Sequence, residues 1–208
     1  MMLRWFSDRK RQAPAERDLE DRLRAIDEWA DTTEPPLRAH LWSQAGDLCA
    51  GAARPALASR YYGRSVDAYL LAEKRDMAAA LCRKIVSVDP AVVRARFTLA
   101  LLAVADPSLG DAGAEIEQYI DAAERAGVRE LVIPHLRLLA RFAEQESLIY
   151  DIAHHLLRLG DTEGAEAALA AADEILFRRA RHSTPIARWN QLVRAALAGT
   201  GPAAADCA

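Results

Sequence analysis

The chain has 208 residues, of which 51% are hydrophobic and 27% are charged, a composition typical of one globular domain or a small repeat array. Its formal net charge of −3 argues against general nucleic-acid binding, because that activity needs a strongly basic surface. Cys49, Cys82 and Cys207 are far apart and form no Cys-x-x-Cys pair, so the sequence predicts neither a disulfide framework nor a zinc site.

Proline and glycine divide the chain into segments whose apolar residues have helical spacing. Alanine supplies much of the apolar fraction, and no segment alternates apolar and polar residues as a half-buried strand does. The sequence therefore predicts an all-α protein of about ten antiparallel helices. In chain order the predicted helices cover residues 13–32, 36–52, 55–74, 77–88, 91–105, 111–126, 129–144, 146–159, 162–181 and 184–198.

The two ends of the chain differ from the helical domain predicted for residues 15–199. Residues 1–14 begin with the basic and aromatic sequence MMLRWFSDRKRQ, and residues 200–208 follow a glycine, so we expect both ends to be flexible. No apolar run reaches the roughly 18 residues that span a bilayer, and the first residues lack the apolar stretch of a signal peptide. The sequence therefore favours a cytoplasmic protein.

Small and large apolar residues recur in phase along the chain. Two units lie 34 residues apart, and a third follows after one additional predicted helix at 129–144. A small residue in each unit marks the place where two helices would cross closely. The recurring residues are Ala78, Cys82 and Ile85 in the first unit, Ala112, Ile116 and Tyr119 in the second, and Ala165, Leu169 and Ala172 in the third.

Two of these segments resemble the tetratricopeptide repeat family. They are AYLLAEKRDMAAALCRKIVSVDP at 68–90 and LGDTEGAEAALAAADEI at 159–175, where a Gly-Asp turn, a small residue and a closing Asp-Pro stand in the places where the family has them. The resemblance covers roughly residues 59–179. It implies that the helices stack as TPR-like helical hairpins, an α-solenoid, with one single helix interrupting the regular repeat.

The resemblance also implies a function, because tetratricopeptide arrays are interaction scaffolds whose first helices line a concave groove. We therefore expect a non-enzymatic adaptor that binds a peptide or partner protein and needs no cofactor or metal. Arginine suits carboxylate recognition and aromatic residues anchor apolar partners, which favours an acidic partner, although solvated surface arginines would show the same pattern. The groove residues that the resemblance implies are Arg60, Asp67, Arg94, Phe97, Leu101, Tyr150, His154 and Arg158.

Two alternative functions stay open at this point. The aromatic and basic residues of the N-terminal segment suit a weak contact with a membrane surface, or a structural or assembly role inside a complex. Asp151, His154 and His155 lie within one predicted helix and suit a helical metal-binding enzyme, although a second helix with matching ligands is missing. The arginine-rich stretch at 177–188 suits an acidic partner or simply the negative end of a helix dipole.

Overall fold

A computed structural model describes the backbone of residues 2–179 and the side chains of residues 17–176. All regular elements in this part of the chain are helices, so the predicted all-α class is confirmed. The chain divides into two compact units, residues 1–129 and residues 130–208. Of the helices described, none is both long enough and apolar enough to cross a membrane.

The first unit is an array in which each helix packs chiefly on the helices directly before and after it in the chain. A short 3-10 helix, Pro107–Leu109, joins the last two helices. Proline occupies the first helical position of α2 and of α3, where its missing N–H costs no intrahelical hydrogen bond. The helices are α1 (Met2–Asp31), α2 (Pro35–Gly51), α3 (Pro55–Leu71), α4 (Arg75–Val88), α5 (Val93–Ala105) and α6 (Ala112–Arg125).

The second unit contributes three described helices, which follow a 3-10 turn at Arg129–Leu131. Helix α8 packs on both α7 and α9, and α7 also contacts α9. The apolar residues of α7 and α8 recur at helical spacing and so form one face on each helix. These faces are buried where the helices pack together. The helices are α7 (Val132–Phe142), α8 (Glu146–Arg158) and α9 (Thr162–Arg179).

The structure describes the two ends of the chain only in part. Helix α1 begins at Met2 and so runs through most of the segment 1–14, while the side chains up to residue 16 lie outside the described ones. That this segment is flexible stays a prediction. The predicted helix at 184–198, the side chains of the arginine-rich stretch at 177–188 and the tail at 200–208 also lie outside the described residues.

Four of the described helices end in the same left-handed turn. A residue with positive φ follows α2, α3, α6 and α8, namely Ala53 (56°), Glu73 (58°), Gly127 (71°) and Gly160 (84°). In each case the next N–H donates a hydrogen bond to the carbonyl five residues earlier, as Asp161 does to Leu156 at 2.9 Å. This Schellman pattern satisfies carbonyl groups that the helix end leaves open. Gly160 and Asp161 therefore form the turn of the helical hairpin made by α8 and α9.

Tyr62 is, with Tyr119, the largest fully buried side chain of the first unit. Gly46 on α2 makes room for it, because a Cβ atom at that position would overlap the Tyr62 ring. The Tyr62 hydroxyl donates to Asp47 Oδ1 at 2.6 Å, and the Lys84 ammonium group pairs with the same carboxylate. This contact joins α2, α3 and α4 at one point.

Candidate functional site

A cleft of about 450 Å³ opens in the first unit where α3, α4 and α5 meet. Four apolar side chains form its floor, and each is at most 5% exposed: Val66, Cys82, Ile85 and Ala95. Ligand pockets in proteins have volumes of about 300–1,000 Å³ and predominantly apolar linings. The cleft therefore has the volume and the apolar lining that ligand pockets have.

The polar lining of the cleft comes mainly from one face of α3. Arg60, Gly63, Arg64 and Asp67 follow one another at intervals of three, one and three residues, which places them along the same side of the helix. Arg94, in the first turn of α5, approaches this face. The cleft thus combines an apolar floor with charged groups at its opening.

Two of these charged groups pair across the cleft. The Arg94 Nη2 atom lies 2.6 Å from Asp67 Oδ1, so α5 and α3 are joined by an ion pair. The side chain of Arg94 is 73% exposed and that of Asp67 is 46% exposed. Exposed pairs of this kind contribute about 0–1 kcal/mol, so an anionic ligand can displace Asp67 from Arg94 at little cost.

Arg64 is held by α1 and α2. Its Nη1 atom lies 2.6 Å from Asp27 Oδ1, and its guanidinium carbon lies 4.2 Å from the ring centroid of Trp42. Asp27 also accepts hydrogen bonds from Trp42 Nε1 at 3.2 Å and from the Tyr61 hydroxyl at 2.8 Å. Burial, together with the hydrogen bond to Asp27, raises the pKa of Tyr61 to about 12, so this phenol stays protonated and donates. A single carboxylate of α1 therefore fixes the position of Arg64.

Arg60 differs from the other two arginines of the cleft. Its side chain is exposed, and it forms no hydrogen bond or ion pair with any residue between 17 and 176. Its neighbour Ser59 also lines the cleft, and the buried hydroxyl oxygen of Ser59 has no hydrogen-bond partner in the same part of the chain. The lining thus includes one uncompensated positive charge at Arg60, one unpaired hydroxyl group at Ser59 and the Asp89 carboxylate, whose Oδ1 accepts the Ala91 N–H at 3.1 Å.

Cys82 brings a thiol to the floor of the cleft. Burial raises its pKa to about 12, so the thiol is protonated at neutral pH. A protonated, buried thiol is a poor nucleophile and metal ligand and packs as a small apolar group. Cys82 therefore contributes to the apolar surface of the cleft.

The structure brings three of the predicted groove residues together and separates two others from them. Arg60, Asp67 and Arg94 line the same cleft. Phe97 contacts α6, where its ring packs against Tyr119 with centroids 5.3 Å apart and an interplanar angle of 54°. Leu101 is half-buried on α5 and, like Phe97, is not among the residues that line the cleft.

The remaining predicted residues belong to the second unit. Tyr150, His154 and Arg158 follow one another at intervals of four residues on α8, so they share one side of that helix. Tyr150 is half-buried, whereas His154 and Arg158 are exposed. Their part in binding a partner stays a prediction.

The residues proposed for a metal site do not gather into one. Within the part of the chain that the structure describes, no group of three or more His, Cys, Asp or Glu side chains is placed to hold a metal ion. The rings of His154 and His155 have centroids 6.2 Å apart and are tilted by 59°. These two histidines, although adjacent in sequence, offer no common coordination point with a third ligand.

Several residues of the cleft were not predicted, among them Ser59, Gly63 and Arg64 on α3, and Asp89 and Thr98 outside it. Gly63 and Arg64 could have been found from their spacing, because both share one helix face with Arg60 and Asp67. The pairing of Arg64 with Asp27 spans 37 positions of the chain and has no local signal.

Comparison with protein-family models gives no match, and comparison with curated proteins finds no sequence of significant similarity.

Proposed function

We propose that this protein is a non-enzymatic, cytoplasmic interaction scaffold of the tetratricopeptide-like kind. Its cleft between α3, α4 and α5 binds a segment of a partner protein. The partner segment carries a carboxylate group that pairs with Arg60 and aliphatic side chains that enter the cleft.

The packing order of the first unit supports a scaffold role. Because each helix packs mainly on its neighbours in the chain, the unit resembles arrays of stacked helical hairpins. Such arrays present surfaces built from successive helices, and the α3 and α5 residues at the cleft make one of these surfaces. The left-handed turn at Gly160 and the buried small residues Ala165 and Ala172 extend the resemblance to α8 and α9.

The observation that carries the proposal is the uncompensated charge of Arg60 beside an apolar floor. An arginine binds a carboxylate through two parallel hydrogen bonds, which gives both strength and direction. Val66 and Ile85 line the floor of the cleft and offer apolar surface to an aliphatic side chain. The combination suits a segment in which an acidic group stands close to aliphatic residues.

Site-specific crosslinking in cells of the source organism tests this proposal. A photoreactive amino acid replaces Thr98, which lines the cleft, or Glu117, which is exposed on α6 outside it. We expect a discrete crosslinked partner from position 98 and not from position 117, identified by mass spectrometry. The same products from both positions, or none from position 98, would place binding elsewhere.

A pair of matched charge reversals connects the crosslink to the arginine. Arg60→Glu should abolish the product at position 98, because it replaces the proposed anion contact with a like charge. Arg24→Glu is the control, because Arg24 is exposed on α1 and forms only a surface pair with Asp21 at 3.5 Å. Loss of the product in both variants would indicate a general charge effect and contradict a specific contact at Arg60.

A further inference from the structure

Gly63 occupies an unusual place in the middle of α3. Glycine is among the least favourable residues in a helix interior, because its backbone loses more conformational freedom on folding than that of any other residue. A Cβ atom at position 63 would meet no other atom within 4 Å. Packing within the described residues therefore gives no reason for a glycine here.

Gly46 differs from Gly63 in its surroundings. At position 46 a Cβ atom would overlap the ring of Tyr62, so the close packing of α2 on α3 requires a glycine. Position 63 instead lines the cleft, with open space in front of its backbone. Glycine also serves where a ligand approaches the backbone closely, and this explanation fits a residue that lines a cleft.

We propose that Gly63 is the point at which the main chain of the bound partner segment lies directly against α3. The inference rests on the proposed function, because it concerns the same cleft and the same acidic segment. Arg60 lies one helical turn before Gly63 on the same face, so it receives the carboxylate of the segment. Ser59 lies four residues before Gly63, and its unpaired hydroxyl pairs with a main-chain group of the segment.

Charge complementarity identifies the occupant as an acidic polypeptide segment. Arg64 and Arg94 are engaged by Asp27 and Asp67, and Asp89, the other carboxylate of the lining, accepts the Ala91 N–H at 3.1 Å, so Arg60 is the exposed cation that the cleft offers to an incoming carboxylate. The open surface at Gly63 lets the main chain of the segment come within van der Waals distance of the helix. The aliphatic side chains beside its carboxylate then reach Val66 and Ile85.

The inference predicts opposite effects of one substitution on stability and on binding. In Gly63→Ala the added methyl group occupies the space of the bound main chain, so affinity falls by about tenfold. The same methyl group improves helix propensity without a clash, so the melting temperature rises by about 2–4 °C. A residue with a purely structural role would not lose binding while gaining stability. The larger side chain of Gly63→Leu should obstruct the bound main chain further and lower the affinity more than Gly63→Ala does.

The test uses a phage-displayed library of random dodecapeptides selected on the full-length protein. Selected peptides are synthesised with a fluorophore, and their dissociation constants are measured by fluorescence polarisation. The panel comprises the wild type, Gly63→Ala, Gly63→Leu, Arg60→Glu and Gly51→Ala. Gly51 is the matched control, because it ends α2 outside the cleft and a Cβ atom there would also meet nothing within 4 Å. We expect acidic peptides with aliphatic residues, which bind the wild type and Gly51→Ala equally.

Each outcome separates the two proposals. If no peptide is enriched, or if Arg60→Glu binds the selected peptides as the wild type does, the proposed function fails. If Arg60→Glu loses binding but both Gly63 variants keep it, the proposed function stands and the role of Gly63 is refuted. A lower melting temperature in Gly63→Ala would show that packing needs the glycine and would also refute it. If light scattering shows a wild-type dimer that Gly63→Leu dissociates, the occupant is a second copy of the chain and the foreign segment is excluded.

Discussion

The Asp161 carboxylate receives two hydrogen bonds from the guanidinium group of Arg137, which joins α7 to the beginning of α9. Arg137 Nε lies 2.7 Å from Oδ2 and Nη2 lies 2.5 Å from Oδ1. Oδ1 also accepts the N–H of Gly164 at 3.2 Å, so the same carboxylate caps the first turn of α9. One side chain thereby closes the helical turn and fixes the helix that packs beside it.

This arrangement predicts a specific acid sensitivity. The Arg137 guanidinium holds the pKa of Asp161 below its usual value, so the ionised carboxylate stabilises the folded state. That contribution is complete above the pKa of the unfolded chain and is lost as the pH falls below about 4, through the folded-state pKa. We expect the free energy of unfolding, measured by urea denaturation, to fall more steeply with acidification in the wild type than in Asp161→Asn. Parallel curves for the two proteins would contradict the prediction.

The left-handed helix ends predict a pair of substitutions with opposite signs. Glu73 adopts a positive φ that costs a residue with a Cβ atom about 1 kcal/mol, so Glu73→Gly should raise the free energy of unfolding by up to that amount. Gly160 has a similar conformation, and Gly160→Ala should lower the free energy of unfolding by about 1 kcal/mol. Thermal unfolding followed by circular dichroism measures both changes. Effects of the same sign would show that the backbone conformation does not decide the outcome.

The contact between Gly46 and Tyr62 predicts a larger loss of stability. In Gly46→Ala the new methyl group overlaps the buried ring, so α2 and α3 must separate or the ring must move. Such overpacking costs about 1–3 kcal/mol, which outweighs the gain in helix propensity. Chemical denaturation measures the difference. The control is Gly51→Ala, whose added methyl group has open space and should not destabilise the protein.

The ion pair at the cleft opening predicts that one substitution improves binding. Asp67→Asn releases Arg94 for an acidic ligand, so affinity for the selected peptides should rise by about two- to fivefold. Fluorescence polarisation at low ionic strength measures this change, and added salt should diminish it. Asp21→Asn removes an equal charge from an exposed pair on α1 and serves as the control. A similar gain in both variants would point to net charge instead of the local pair.

The helical class and most helix positions could be predicted because proline and glycine mark them locally. Pro35 and Pro55 begin α2 and α3, and Gly160 follows α8, as their backbone preferences dictate. The end of α3 could not be placed, and the predicted helix at 55–74 continues three residues beyond Leu71. Glu73 is a good helix former by propensity, so its left-handed conformation is imposed by the helix end and the turn into α4, which no local signal announces.

Only those features of the candidate site that depend on the spacing of residues within one helix could be predicted from the sequence. Arg60, Asp67 and Arg94 were all assigned from the resemblance to a repeat family, and the first two also share a face of α3 that a helical projection shows. Phe97 was predicted to line the same surface. In the structure its ring instead packs against Tyr119 on α6 in the tilted geometry that aromatic pairs prefer. Trp29 and Trp42 both lie within predicted helices. In the structure Trp29 is 59% exposed, whereas the guanidinium group of Arg64 lies over the ring of Trp42. The burial and contacts of these aromatic side chains depend on which helices pack together, and no local sequence pattern indicates that.

The Asp27 carboxylate has a thermodynamic consequence for the cleft. Since it binds Trp42, Tyr61 and Arg64 together, the attachment of α1 and the charge presented by α3 are linked equilibria. Under the proposed function, a partner that formed an ion pair with Arg64 would weaken the attachment of α1, and release of α1 would strengthen binding by the same free energy. The docking of α1 and the charge presented at the cleft therefore depend on the same carboxylate.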